Sequence, residues 1–134
     1  MTDAHTENLF DFNKSEYYIN RELSLLEFNK RVLAQALDET VPLLERLNYL
    51  CISCSNLDEF YEIRVAGVIQ MESIDPKALG QEGLTPGEQL MLVSENAHEL
   101  VAEQYRVLNE ILIPLLDKEK IRFIRRTEWS EVQI

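Results

Sequence analysis

A chain of 134 residues, 46% hydrophobic and 28% charged, has the composition of one globular domain, with or without tails, and can bury a core unaided. Its formal net charge of −11 argues against a nucleic-acid-binding surface, although Lys118, Lys120, Arg122, Arg125 and Arg126 form a local basic stretch. No run approaches the ~18 apolar residues of a membrane span. The polar start is unlike a signal peptide, and two cysteines suit a reducing compartment, so cytoplasmic residence is expected.

Residues 1–17 show no sustained period and are expected to be a loose tail, with Leu9, Phe10 and Phe12 available to pin it to a neighbour. Ser24 and Glu27 then spell a capping box, which predicts a first helix from there to about Asp38. Leu26, Leu33 and Leu37 line one face of it, widened by Leu25, Phe28, Val32 and Ala36. Pro42 suits the first position of a second helix, because its missing N–H has no partner there anyway. Leu43, Leu47, Leu50, Cys51 and Cys54 give that helix an apolar stripe.

The polar run from Ser53 to Asn56 is expected to interrupt it. Ser55 and Asn56 are residue types that cap a helix start, and Asp58 and Glu59 then fall in a first turn, where the helix dipole favours carboxylates. A third helix is predicted over 57–71, with Leu57, Phe60, Tyr61, Val65 and Val68 on its stripe and Arg64 as the polar intruder. Residues 73–87 read as a loop, with three glycines and two prolines. Thr85, Pro86 and Glu88 combine a capping box with proline at the first position and open a fourth helix. Leu90, Val93, Ala97, Leu100, Val101, Gln104, Leu108, Ile111, Leu112 and Leu115 carry it to about Asp117, with Pro114 expected to kink the last turn. Ile121, Arg122, Phe123 and Ile124 form a short apolar segment that needs a partner from elsewhere to become a strand. The predicted fold is all-α: a bundle of about four helices over 18–117, then an extended tail over 118–134 that reads as a linker or the first strand of a following domain.

The candidate chemistry is sparse. Cys51 and Cys54 form a C-x-x-C, but no second ligand pair follows, and two core cysteines account for it better than zinc or redox chemistry. Glu95 and His98 match one Glu-x-x-His of a di-iron bundle without the second, so a solvated helix face is preferred. Arg64 on a buried stripe needs an anionic partner, either Glu27 or Glu45 of a neighbouring helix or a ligand carboxylate or phosphate. One helix start uses one cap, so Asn56 is a residue to spare beside Ser55: capping, ligand contact or both account for it. No catalytic set and no metal site is expected within the chain.

Five segments in order carry a resemblance. Tyr18-Ile19-Asn20-Arg21-Glu22-Leu23-Ser24 is followed by Leu26-x-Phe28-Asn29-x-Arg31-Val32-Leu33 and Pro42-Leu43-Leu44-Glu45-Arg46-Leu47. Then come Ser55-Asn56-Leu57-Asp58-Glu59-Phe60 and Arg64-Val65-Ala66-Gly67. Together they resemble the opening of bacterial polyphosphate kinase, densely over 18–67 and by pattern over 85–124. Leu25 departs from the tryptophan usual there but keeps the face apolar. The resemblance implies an enzyme that reversibly moves the terminal phosphate of ATP onto polyphosphate, with Mg²⁺ and a phosphorylated histidine, the histidine lying in later domains beyond this chain. It also implies that this chain is the N-terminal helical domain, inactive alone, covering the adenine side of the nucleotide through Asn56, with Ser55 and Arg64 in support. The implied partners are the remaining domains, ATP or ADP, polyphosphate and a second copy of the full-length enzyme. The alternative is a non-catalytic docking or dimerisation module, suggested by the apolar tail and the long last helix.

Overall fold

The computed structural model describes residues 20–80 and 82–133, and every regular element among them is helical. The expected tail over 1–17 lies outside these residues. Helix α1 (Arg21–Gln35) starts four residues before the predicted capping box. Asn20, a cap type equal to serine, accepts from the Leu23 N–H at 3.0 Å through its side chain. Its Nδ2 also donates to Glu82 at 3.0 Å, tying the helix start to the loop before the last helix. Ser24, the predicted cap, sits inside the helix, exposed.

Arg46 joins the first two helices. Its side chain is buried, and its Nε donates to the Ala36 carbonyl at 2.8 Å, meeting a backbone acceptor left open at the end of α1. Between the helices, Asp38 accepts from the Thr40 amide and hydroxyl, which holds its carboxyl below the usual aspartate value.

Pro42 is the N-cap of α2 (Leu43–Phe60) rather than its first turn residue, and α2 runs unbroken through the run expected to interrupt it. The core face explains the continuity. Leu50, Ser53, Leu57 and Phe60 are all buried at helical spacing, and no glycine or proline intervenes. A π-turn (Tyr61–Val65) leads directly into α3 (Ala66–Ile74), so the second and third predicted helices are one rod.

The loop follows as expected, with Gly83 at φ 81°, where the backbone favours glycine. The Thr85–Glu88 capping box is present with both of its bonds, and α4 (Pro86–Arg106) begins as predicted. A second π-turn (Val107–Leu112) leads into α5 (Ile113–Lys118). The wide turn lies just before Pro114, whose ring would otherwise meet the carbonyl one turn earlier. Among the described residues the architecture is therefore three rods rather than four helices: α1, then α2 with α3, then α4 with α5.

Both π-turns leave the same mark on the core. Buried positions run Leu57, Phe60, Val65 on the second rod and Leu100, Val107, Leu112, Leu116 on the third. In each case the jump across the wide turn is five residues, one more than an α-helical face allows.

The last rod ends in a Schellman motif. The Ile121 N–H bonds to the Leu116 carbonyl, the Lys120 N–H bonds to the Asp117 carbonyl, and Lys120 takes φ 64° at the position glycine usually fills. Beyond it, residues 121–125 have no regular structure, and short 3₁₀ turns follow at Arg126–Glu128 and Glu131–Gln133. Ile121, Phe123, Ile124, Trp129 and Val132 are all exposed.

Candidate functional site

A cavity of about 340 Å³ opens between α1 and the second rod. Leu25, Leu26, Phe28 and Asn29 supply the α1 wall; Asn56, Glu59, Phe60, Ile63 and Arg64 supply the other. Its volume falls in the range of small-molecule sites, and its walls are mostly apolar with a few polar groups.

The π-turn puts Arg64 at this cavity. On an uninterrupted helix, Arg64 would follow Phe60 by four residues and point into the core. The wide turn gives that inward position to Val65 and moves Arg64 aside, where it is half-buried. Neither expected carboxylate pairs with it. Glu27 bridges Lys30 at 2.8 Å, and Glu45 lies in the first turn of α2, the far end of that helix. Among the described residues, the Arg64 side chain has no hydrogen-bond or ion-pair partner.

Asn56 is also placed differently from the reading as a cap. It lies inside α2, half-buried, and its side chain hydrogen-bonds to no described residue. Asparagine is a poor helix-interior residue because its amide competes for backbone groups. Here it stands in a helix without capping it, facing the cavity. Ser55 is exposed and forms no part of the cavity wall, so the two residues expected to act together are separated by the helix turn. Asp58 and Glu59 fall in the last turn of α2 instead of a first turn; Glu59 stands at the cavity and Asp58 is exposed.

Asn29 is the site residue that periodicity reasoning missed. It is only 4% exposed, its Nδ2 donates to the Ser53 carbonyl at 3.0 Å, and its Oδ1 is buried without a partner. Ser53 in turn accepts through Oγ from Gln104 Nε2 at 3.0 Å, so one buried polar chain links all three rods. A signal existed: Asn29 falls between Leu26 and Leu33 on the apolar face of α1.

The remaining candidates do not converge. Cys51 is exposed, contrary to the core expectation, because Ser53 and Leu50 take the inward positions on α2. Cys54 is half-buried, and burial, with Cys51 and Asp58 nearby, pushes its thiol up. Glu95 and His98 lie on an exposed face, the His98 ring bonded back to the Ser94 carbonyl at 2.6 Å. The basic stretch is exposed, with Arg122 3.4 Å from Asp117.

Among the described residues every regular element is helical, and an apolar-walled cavity receives contributions from an arginine and two asparagines. Residues 18–124 match the family model described as the polyphosphate kinase N-terminal domain, and the chain belongs to that family. It is similar to the polyphosphate kinase of Pseudomonas aeruginosa, 55% identical over 116 residues, covering 87% of this chain and 17% of that protein. The Pseudomonas syringae pv. tomato polyphosphate kinase is 52% identical over 120 residues, 90% of this chain and 16% of the relative. The Halalkalibacterium halodurans polyphosphate kinase is 47% identical over 129 residues, 96% of this chain and 18% of the relative. The chain thus spans less than a fifth of the length of these relatives. No solved structure matches it. Among the described residues, no helix is long and apolar enough to cross a membrane.

Proposed function

We propose that this domain covers the adenine side of ATP in a polyphosphate kinase, which transfers the terminal nucleotide phosphate reversibly to polyphosphate through a phosphohistidine outside this chain. The observation that carries the reading is the convergence of Asn56 and Arg64 on one apolar-walled cavity, with neither side chain used by a described residue. A side-chain amide both donates and accepts, so Asn56 matches adenine's exocyclic amine and adjacent ring nitrogen. Leu25, Phe28 and Ile63 offer apolar area to the ring faces, and the Arg64 fork suits a phosphate or the base plane. Ser55 supports at most from outside the wall.

In this reading the Mg²⁺ that such an enzyme uses belongs to the full-length protein, held with the nucleotide phosphates rather than by this chain. In this reading residues 18–117 are the domain and 118–134 lead into the next one, supported by the exposed apolar side chains after the Schellman motif. The enzyme is cytoplasmic, and the chain alone is inactive because one wall of a pocket does not overcome the ordering cost of binding. The exposed tail supports a second reading, a docking module that meets neighbouring domains or a second copy.

Amide hydrogen exchange in a full-length polyphosphate kinase carrying this domain tests the first reading. ATP slows exchange across residues 56–64, and inorganic tripolyphosphate, which lacks the base, does not. Equal protection by both, or none by either, refutes the adenine assignment.

A further inference from the structure

Asn29 is buried among apolar side chains with one half of its amide used and the other half empty. The used half fixes the orientation. The Ser53 carbonyl accepts only, so the group facing it is Nδ2, and Oδ1 is the free atom. The amide therefore cannot turn over without setting two acceptors against each other. Asn56, with no such bond, can present either its oxygen or its nitrogen to a ligand. The two asparagines at this cavity thus differ in kind: one is adaptable and one is an acceptor only.

An unpaired buried acceptor is destabilising until a donor reaches it. Oδ1 is shut off from water as well as from protein partners. Asn29 itself lines the cavity, and contact of Oδ1 with a ligand requires side chains around it to move. Leu25, four residues earlier on the same helix face, and Phe28 are both exposed and line the cavity.

We propose that Asn29 is the specificity-determining residue of the nucleotide site, its pinned Oδ1 accepting from the exocyclic amine of the base. The inference rests on the adenine assignment to this cavity. An acceptor-only group rewards the 6-amine of adenine and opposes the 6-carbonyl of hypoxanthine or guanine, where two lone-pair oxygens face each other. Asn56 alone could not discriminate in this way, since its amide turns to suit either base. The carbonyl that pins Asn29 belongs to the α2 backbone, so the orientation of its amide is set by the packing of α1 on the second rod.

The test compares ATP with inosine triphosphate, which has a carbonyl in place of the amine, in a full-length polyphosphate kinase carrying this domain. The wild type prefers ATP by at least about fivefold in kcat/KM, the scale of one net hydrogen bond, and Asn29→Ala reduces that ratio towards one. A merely structural role for Asn29 lowers the values for both nucleotides alike and leaves the ratio where it was. Should Asn29→Ala fail to fold, Asn29→Ser, which keeps a hydroxyl donor for the Ser53 carbonyl, is read by the same ratio. No preference in the wild type, or a preference that survives in the variant, overturns the proposal. Asn56→Ala measured in parallel separates the two levels. If it raises the KM for ATP while the Asn29 ratio stands unchanged, only the Asn29 role is lost. If it leaves both nucleotides unaffected, the base is not at this cavity.

Discussion

Replacing Asn56 by alanine changes stability and nucleotide affinity in opposite directions. The Asn56 side chain makes no hydrogen bond with a described residue, so its truncation strands no partner. It sits in the interior of α2, where alanine is favoured over asparagine by about 0.5 kcal/mol. At ~4 °C per kcal/mol for a domain of this size, the melting temperature of the chain rises by about 2 °C. The ligand bond has the opposite sign. Losing a net ~0.5–1.5 kcal/mol raises the KM for ATP by up to about tenfold in a full-length enzyme, with kcat unchanged if the base is held equally in ground and transition states. Circular-dichroism melting gives the first number and steady-state kinetics the second. A KM that does not move refutes the ligand role. A melting temperature that falls by several degrees refutes the premise that Asn56 has no structural task.

Two further perturbations address the scaffold. Arg46→Ala removes the donor to the Ala36 carbonyl and leaves that acceptor unpaired. Loss of about 2 kcal/mol and a drop of about 8 °C is expected by thermal melting, and a drop below ~2 °C would show that the carbonyl finds another donor. Thr40→Val removes the hydroxyl that helps hold the Asp38 carboxyl below its ordinary value of 3.8. A depressed folded-state value stabilises above the ordinary one and is lost as pH falls through the folded one. The variant is therefore less stable than wild type at neutral pH, and the difference closes in melts below about pH 4; a difference independent of pH would argue against the Asp38 contact.

How far the chain could be read in advance differs from element to element. The α4 start was legible because Thr85, Pro86 and Glu88 act locally: each bond of the capping box lies within one turn. Asn56 and Arg64 were legible as candidates with two readings each, a local task as cap or carboxylate partner, or a ligand contact; in the structure neither performs the local task. The structure brings both to one cavity while leaving Ser55 outside it.

The break expected at Ser53–Asn56 misread a polar run on an otherwise continuous apolar face. Ser53 is buried because Gln104, fifty-one residues away, donates to it, and a helical period contains no record of that partner. The π-turns are invisible for a similar reason, since a five-residue jump looks like an ordinary irregular stripe until packing shows which side chain faces inward. Sequence alone therefore determined the helical class, the family resemblance and the residues worth watching, all of which rest on local spacing and side-chain chemistry. Tertiary structure decided how many rods there are, where Arg64 points and which half of Asn29 is left free, because each depends on a partner that packing brings from another helix.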